Sequence, residues 1–212
     1  DPSPPRLEVA DVIRLYGDAY VRNHPTTLHH RRVLFRLTAC RTARLGGHVY
    51  TCPSCPDVQV ISYNSCRDRH CPKCQGRERH LWVERMLARI LPVRHFHVVF
   101  TLPDVLSPLI LRNPRLLYDL LFRASSQTLL DLAADPRHLG VLPGFISALH
   151  TWAQNLAHHA HVHCIVTAGG LTLGGTTWTD SRKNFLISVN VLAKRFKHLF
   201  MQGLKKLRAS GR

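Results

Sequence analysis

Acidic residues are scarce in this chain of 212 residues, which has 13 aspartates and glutamates against 29 lysines and arginines. The shortage of carboxylates argues against catalysis by a carboxylate pair, and the formal net charge of +16 points to a polyanionic partner, most simply nucleic acid. An acidic membrane surface is the alternative partner. It is disfavoured because the chain shows no apolar run of about 18 residues and no signal peptide. We therefore expect a soluble, intracellular protein that binds nucleic acid.

Several signatures of common enzyme classes are also missing. The chain has no internal repeat, no low-complexity segment, no glycine-rich phosphate loop and no spacing typical of a Ser-His-Asp triad. Hydrophobic residues still make up 45% of the chain, which is enough for a substantial core. The pattern changes near Pro92, where helical and cysteine-rich segments give way to β-rich runs. We predict two domains, residues 1–92 and 93–212, the second with an α+β fold in which helices pack on a central antiparallel sheet.

The spacing of apolar residues predicts the individual elements. Helices are expected over residues 7–22, 26–40, 75–91, 114–134 and 189–207. A β-hairpin is expected from residues 48–52 and 58–63, and further strands over residues 95–102, 144–152 and the histidine-rich run that follows. The second domain therefore has the helices and the antiparallel strands that its predicted fold requires.

Six of the seven cysteines fall between residues 40 and 74, a spacing that indicates zinc rather than disulfides in a chain without a signal peptide. Two C-x2-C pairs match a zinc ribbon, and they predict one structural zinc ion held by Cys52, Cys55, Cys71 and Cys74. The same window contains four more candidate ligands, enough for a second zinc: Cys40, His48, Cys66 and His70. The alternative is that these four are packed groups or hydrogen-bond partners of the zinc ligands.

The stretch His161-Val162-His163 predicts a second kind of metal site. On a strand, two residues that are two positions apart point to the same face, so both imidazoles can reach one ion. Gln154 is expected on the preceding strand, facing the histidines, and completes a three-ligand set; His159 is the rival third ligand. A similar pair, His95 and His97, ranks lower because its flanks offer no further ligand.

Two groups of basic residues are candidates for contacts with DNA phosphates. The first lies near the cysteines and on the helix that follows them: Arg67, Arg69, Arg77 and Arg79. The second lies on the predicted helix after residue 189: Lys194, Arg195, Lys197, Lys205 and Lys206. The alternative for each group is a solvated helix face without a partner.

Four stretches carry a resemblance to a known family: Leu45-Gly-Gly-His-Val-Tyr-Thr-Cys52, Ser62-Tyr-Asn-Ser-Cys-Arg-Asp-Arg-His-Cys-Pro-Lys-Cys74, Phe100-Thr-Leu-Pro103, and Trp152-Ala-Gln-Asn-Leu156 through His163 to Gly169-Gly-Leu171. They resemble the rolling-circle transposases of the insertion-sequence 91-like family, which includes the insertion-sequence common region elements. The resemblance implies a zinc-binding domain followed by a nuclease domain of the His-hydrophobic-His (HUH) type, in a bacterial, nucleoid-associated protein. It also implies a catalytic Mg²⁺ or Mn²⁺ ion at His161 and His163, and DNA partners that are single-stranded or hairpin element ends.

The chain departs from the family in its tyrosines. The resemblance implies a nucleophilic tyrosine on a helix well after the histidines, but the last tyrosine here is Tyr118. We expect a shortened sequence rather than a degenerate copy, and a fragment that binds metal and DNA without covalent cleavage. Relaxases, which are permuted relatives, place the tyrosine near the N-terminus, so Tyr16 and Tyr20 stay as fallback candidates for the nucleophile. Their spacing is more typical of core residues on the apolar face of a helix.

Two other functions remain open at the sequence level. A non-catalytic, zinc-dependent DNA-binding regulator explains the charge and the cysteines but gives His161 and His163 no role. A hydrolase that acts through metal-bound water lacks the carboxylate base that it needs.

Overall fold

The computed structural model describes residues 7–55, 58–184 and 186–211. The first six residues of the predicted N-terminal domain lie outside these ranges. The chain divides into two compact units, one up to Ile90 and one from Leu91. None of the helices within the described ranges combines the length and the apolar character that crossing a membrane requires.

The N-terminal unit begins with two amphipathic helices, α1 (Val9–Asn23) and α2 (Leu28–Ala39), close to the predicted bounds. The hydroxyl of Thr27 accepts a hydrogen bond of 3.2 Å from the backbone N–H of His30, which caps the free donors at the start of α2. Tyr16 and Tyr20 are 65% and 50% exposed. The expectation that these two tyrosines belong to the core is therefore wrong.

A hairpin and a third helix complete this unit. Strands β1 (Gly47–Thr51) and β2 (Gln59–Tyr63) pair antiparallel over five residues, and every residue of both strands is exposed. Helix α3 (Pro72–Leu87) follows and contains no fully buried residue. The buried cluster of this unit consists of Leu37, Cys40 and Cys71. Such a small core supplies little burial free energy, so this unit needs another source of stability.

The C-terminal unit is α+β, as predicted. Its helices are α4 (Ser107–Arg112), α5 (Pro114–Ala134) and α6 (Val189–Ala209). Its strands are β3 (His95–Thr101), β4 (Val141–Leu142), β5 (Phe145–Trp152), β6 (His158–Thr167), β7 (Gly169–Thr172) and β8 (Trp178–Asp180).

These strands form two three-stranded antiparallel sheets, in the orders β3-β6-β5 and β4-β7-β8, where one central sheet was expected. The chain passes from β6 into β7 at Gly169, whose φ of +146° is unfavourable for other residues. A Cβ atom would lie 2.4 Å from the carbonyl oxygen of Thr179 at Gly169, and 2.3 Å from that of Leu142 at Gly170. The glycine pair therefore allows β8 and β4 to approach β7 closely on its two sides.

Alternation along β6 fixes which face of the first sheet is buried. Val162, Cys164 and Val166 are at most 1% exposed and belong to the core that also contains residues of α5 and α6. The rings of Phe100 on β3 and Phe196 on α6 are 5.0 Å apart, which places α6 on the same side. Residues at the odd-numbered positions of β6 point to the opposite face.

Candidate metal centres and nucleic-acid interface

Three histidines meet on the sheet face opposite α5 and α6. Strand β6 supplies His161 and His163, and its register places His161 directly opposite His150 of β5. One ring nitrogen from each of these three side chains lies within 4.8 Å of the other two. The ring centroids are 4.3 Å apart for His150 and His163, and 4.9 Å for His161 and His163. The histidine centre, as we name these three residues, therefore offers three imidazole ligands to one ion.

His150 occupies the place that the sequence suggested for Gln154. Strand β5 ends at Trp152 with a register shift after His150, and the chain turns at once: Ala153 N–H donates 2.9 Å to the carbonyl of Ala157. Gln154 therefore lies exposed in the turn rather than on the strand, and its predicted position opposite the histidines is wrong. The signal for His150 was present, because it lies on the predicted strand 144–152, but its partner could be identified only from the register.

His159, the rival third ligand, lies on the same face of β6 but is turned to another partner. Its Nδ1 is 2.7 Å from Oδ1 of Asp104, and its ring is not among the three that converge. Its backbone carbonyl oxygen accepts a hydrogen bond of 2.9 Å from Nδ1 of His161. His159 therefore orients a neighbouring histidine through its main chain.

The rings of the histidine centre are each held by a different contact. The His159 carbonyl fixes the plane of His161 and leaves its Nε2 free. The ring of His150 stacks on Trp152 with centroids 5.0 Å apart and planes inclined by 13°. His163 has its Nδ1 2.7 Å from Nε2 of His97 on β3. Fixed rings lose less conformational freedom when they take up an ion.

Burial keeps this centre ready for a metal. Partial burial is the main cause that lowers the pKa of His150, and the neighbouring His161 acts in the same direction because two adjacent imidazoles do not readily both become charged. Burial and the neighbouring histidines His150, His161 and His97 likewise lower the pKa of His163. A lowered pKa favours the neutral imidazole, which is the form that binds metal. Three neutral nitrogen donors suit a transition ion such as Mn²⁺ better than Mg²⁺, which prefers oxygen ligands.

Four cysteines converge in the N-terminal unit and form the cysteine centre: Cys40, Cys66, Cys71 and Cys74. The Sγ atom of Cys74 is 3.5 Å from that of Cys40 and 3.6 Å from that of Cys66. A disulfide needs about 2.05 Å between sulfurs. Four sulfurs at about 2.3 Å from a tetrahedral zinc ion lie about 3.8 Å apart. The spacing of the thiols therefore fits a structural zinc site.

The surroundings act differently on the thiols of this centre: burial raises the pKa of Cys40 and of Cys66, whereas hydrogen bonds favour the thiolate of Cys74. Backbone N–H groups of Cys66 and Asp68 donate to the sulfurs of Cys40 and Cys66. Cys71 is the N-cap of α3 and Cys74 lies in its first turn, where the helix dipole stabilises negative charge. Burial acts to raise the pKa of the Cys74 thiol, but hydrogen bonds from the Cys40 and Cys66 thiols outweigh it and lower that pKa to about 7.

This grouping differs from the predicted zinc ribbon. Cys40 and Cys66 lie at the base of the hairpin, where Arg41 N–H donates 3.0 Å to the Asn64 carbonyl. Cys52 and Cys55 follow β1, beyond five residue pairs that extend about 17 Å at about 3.4 Å per residue. The paired strands therefore separate the two C-x2-C motifs, and the cysteines at the base join Cys71 and Cys74 instead.

The predicted second zinc is not assembled by the described residues. His48 lies exposed on β1, opposite Ser62. The Nδ1 atom of His70 is 2.9 Å from Oδ1 of Asp68 rather than near a thiol. A backbone hydrogen bond from Ser54 is the chief cause that lowers the pKa of Cys52, but Cys52 belongs to neither group of converging ligands. Over residues 7–55, 58–184 and 186–211, two groups of three or more His, Cys, Asp or Glu side chains lie close enough together to hold one ion. These groups are the cysteine centre and the histidine centre.

The basic residues proposed as DNA contacts are exposed with one exception. Arg67, Arg69, Arg77 and Arg79 are exposed in the N-terminal unit, as are Lys194, Lys197, Lys205 and Lys206 on α6. The exception is Arg195, whose Nε donates 3.0 Å to Oδ2 of Asp131 on α5. This ion pair joins α6 to α5, and it leaves the Arg195 guanidinium less available to phosphate than the prediction assumed.

Comparisons with known proteins match both parts of the chain. Residues 12–102, which contain all four residues of the cysteine centre, match the model of the "Transposase zinc-binding domain" family. Residues 144–212, which contain the whole histidine centre, match the model of a family described as "Putative transposase".

Two curated relatives extend over most of the chain. A protein of Sinorhizobium fredii named "Putative transposase y4qJ" is 48% identical over 200 residues, which cover 94% of this chain and 50% of the relative. The "Transposase for insertion sequence element IS801" of Pseudomonas savastanoi pv. phaseolicola is 38% identical over 166 residues, 77% of this chain and 38% of the relative. The chain thus spans half or less of the length of these relatives. No solved structure gives a significant match.

Proposed function

Because the chain belongs to the insertion-sequence 91-like family of transposases, we propose that it carries the metal-binding half of an HUH-type nuclease site for single-stranded DNA. In this proposal residues 93–212 form the nuclease domain, and residues 1–92 form a zinc-stabilised DNA-binding domain. The convergence of His150, His161 and His163 on one sheet face carries the proposal. A regulator that only binds DNA has no use for three oriented imidazoles.

In this proposal the histidines, the strand that carries them and the lysines of α6 have different roles. His150, His161 and His163 would hold the divalent ion, Mn²⁺ or Mg²⁺, through neutral ring nitrogens. An ion held there would supply Lewis-acid polarisation of a phosphate oxygen. Val162, between the two β6 histidines, is fully buried and anchors the strand in the core. The exposed lysines of α6 add positive charge that attracts the phosphate backbone.

The nucleophile is the part that these residues do not supply. The hydroxyl of Tyr118 is 3.2 Å from Nε2 of His158, which lies on the core side of β6. Tyr118 therefore faces away from the histidine centre. Tyr16 and Tyr20 lie on α1 in the other unit. We propose that this chain binds metal and single-stranded DNA without forming a bond between tyrosine and phosphate.

The chain is expected to bind a fluorescent single-stranded oligonucleotide carrying an element end, and to bind it more tightly when Mn²⁺ is added. The logarithm of the binding constant should fall linearly with the logarithm of salt concentration, with a slope of about −0.7 per phosphate contacted. After denaturation, no DNA should remain attached to protein on a gel. Fluorescence anisotropy and a denaturing gel measure these outcomes.

The matched control is a His161→Ala, His163→Ala double variant, which should keep the salt dependence and lose the gain from Mn²⁺. Equal affinity of wild type with and without Mn²⁺ would favour the non-catalytic regulator. An adduct that survives denaturation would contradict the missing nucleophile, and its mapping to Tyr16 or Tyr20 would identify a relaxase-like arrangement.

A further inference from the structure

The side chain of His97 contacts the histidine centre, and the proposed metal site does not explain this contact. It lies on β3, the strand paired with β6, and is a diagonal neighbour of His163 on the same face. The His97 Nε2 and His163 Nδ1 atoms are 2.7 Å apart. The ring planes differ by 10° and the centroids are 4.9 Å apart. With the two nitrogens so close, these values place the rings edge to edge in nearly one plane.

This geometry specifies one tautomer of His163 when it binds an ion. A neutral imidazole has one N–H donor and one acceptor nitrogen. If Nε2 of His163 coordinates metal, the proton is on Nδ1 and needs an acceptor. Nε2 of His97 is the acceptor that the structure provides. The opposite arrangement, with His97 donating to His163, puts the proton of His163 on Nε2 and blocks coordination there.

We propose that His97 is a positioning residue that holds His163 in its metal-binding tautomer and ring orientation. The inference rests on the proposed function, in which His163 is a ligand. Hydrogen-bond partners of this kind raise ligand basicity, and their loss costs about 10–100-fold in metal affinity. His161 is oriented by a backbone carbonyl and His150 by stacking on Trp152. His163 is thus the member whose ring is oriented by a hydrogen bond that it donates to a replaceable side chain.

His97 is distinct from the ligands by geometry. The three nitrogens that lie within 4.8 Å of one another come from His150, His161 and His163. A positioning role and a ligand role predict different numbers of nitrogen atoms bound to the ion. Counting these nitrogens therefore separates the two.

The test uses the whole chain with zinc in the cysteine centre and Mn²⁺ titrated into the histidine centre. Electron paramagnetic resonance gives the affinity, and electron spin echo modulation counts coordinated imidazole nitrogens. His97→Ala is expected to bind Mn²⁺ at least about tenfold more weakly, with three nitrogens still coordinated. His97→Gln is expected to restore most of the affinity, because the Gln amide oxygen can accept the His163 proton. His95→Ala, on the same face of β3, is the matched control and should bind as wild type does.

His97→Ala with wild-type affinity would overturn the inference, and so would loss of one coordinated nitrogen, which would make His97 a ligand. If His97→Ala does not fold, His97→Leu replaces it, since leucine fills the space without accepting a hydrogen bond. Failure of the proposed function looks different: wild type and His161→Ala would then bind Mn²⁺ equally, whatever His97 does.

Discussion

Replacing His150 with alanine is expected to lower the affinity of the chain for Mn²⁺ by more than about 100-fold. Loss of a hydrogen-bond partner of a ligand already costs about 10–100-fold, and loss of a ligand removes a coordinate bond itself. Gln154→Ala is expected to bind Mn²⁺ as wild type does, because Gln154 lies in the exposed turn after β5. Titration followed by electron paramagnetic resonance measures both affinities.

The two variants form a matched pair, since both residues belong to the same hairpin: Gln154 is the third ligand that the sequence predicted, and His150 is the one that the structure brings to the centre. A large loss for Gln154→Ala with little change for His150→Ala would contradict the register of β5 and β6. It would restore the ligand set that the sequence suggested. Unchanged circular dichroism in both variants shows that the losses concern the metal and not the fold.

The second large effect concerns the cysteine centre. Cys40→Ser is expected to remove the zinc ion and unfold the N-terminal unit, because a structural zinc site supplies on the order of 10 kcal/mol to folding. The unit has few buried residues to replace that free energy. Cys52→Ser is expected to keep the zinc, because Cys52 lies beyond the paired strands, away from the centre at the hairpin base.

Elemental analysis measures zinc per chain, and hydrogen exchange of α2 and α3 reports the folding of the unit. The account predicts one zinc in wild type and in Cys52→Ser, and none in Cys40→Ser. Loss of zinc from Cys52→Ser with zinc retained in Cys40→Ser would contradict the grouping and support the predicted ribbon. Two zinc ions in wild type that fall to one in Cys52→Ser would show that the cysteines at the hairpin tip also bind metal.

Local sequence patterns were sufficient for most of the elements. The helix over Pro114–Ala134 and the strands that carry His97, His150 and His163 follow from apolar spacing, which depends only on neighbours along the chain. The buried Val162 between two histidines follows from the two-residue period of a strand in the same way.

The ligand partners could not be predicted in this way, because they depend on contacts between distant residues. Cys40 and Cys66 are 26 positions apart and meet because α2 and β2 both end at the base of the hairpin. Strand β5 ends at Trp152 after a register shift beyond His150, and the chain turns at once, which places Gln154 in the turn. A shift of one or two residues is enough to exchange one candidate ligand for another.

His97 illustrates a third limit. Its sequence neighbours offered no further ligand, which is why its pair with His95 ranked below His161 and His163. Its relevance comes from strand pairing, which brings its Nε2 to 2.7 Å from His163. Groups that orient a ligand carry no spacing signature of their own.

The most direct test of the central claim is whether a phosphate of single-stranded DNA binds the ion held by His150, His161 and His163. Pulsed phosphorus-31 electron–nuclear double resonance measures this on the whole chain with zinc in the cysteine centre, Mn²⁺ in the histidine centre and a saturating oligonucleotide. The account predicts a strong coupling to phosphorus that disappears in His161→Ala. Mn²⁺ coordinated by three imidazole nitrogens, with DNA bound and no coupling to phosphorus, would contradict it.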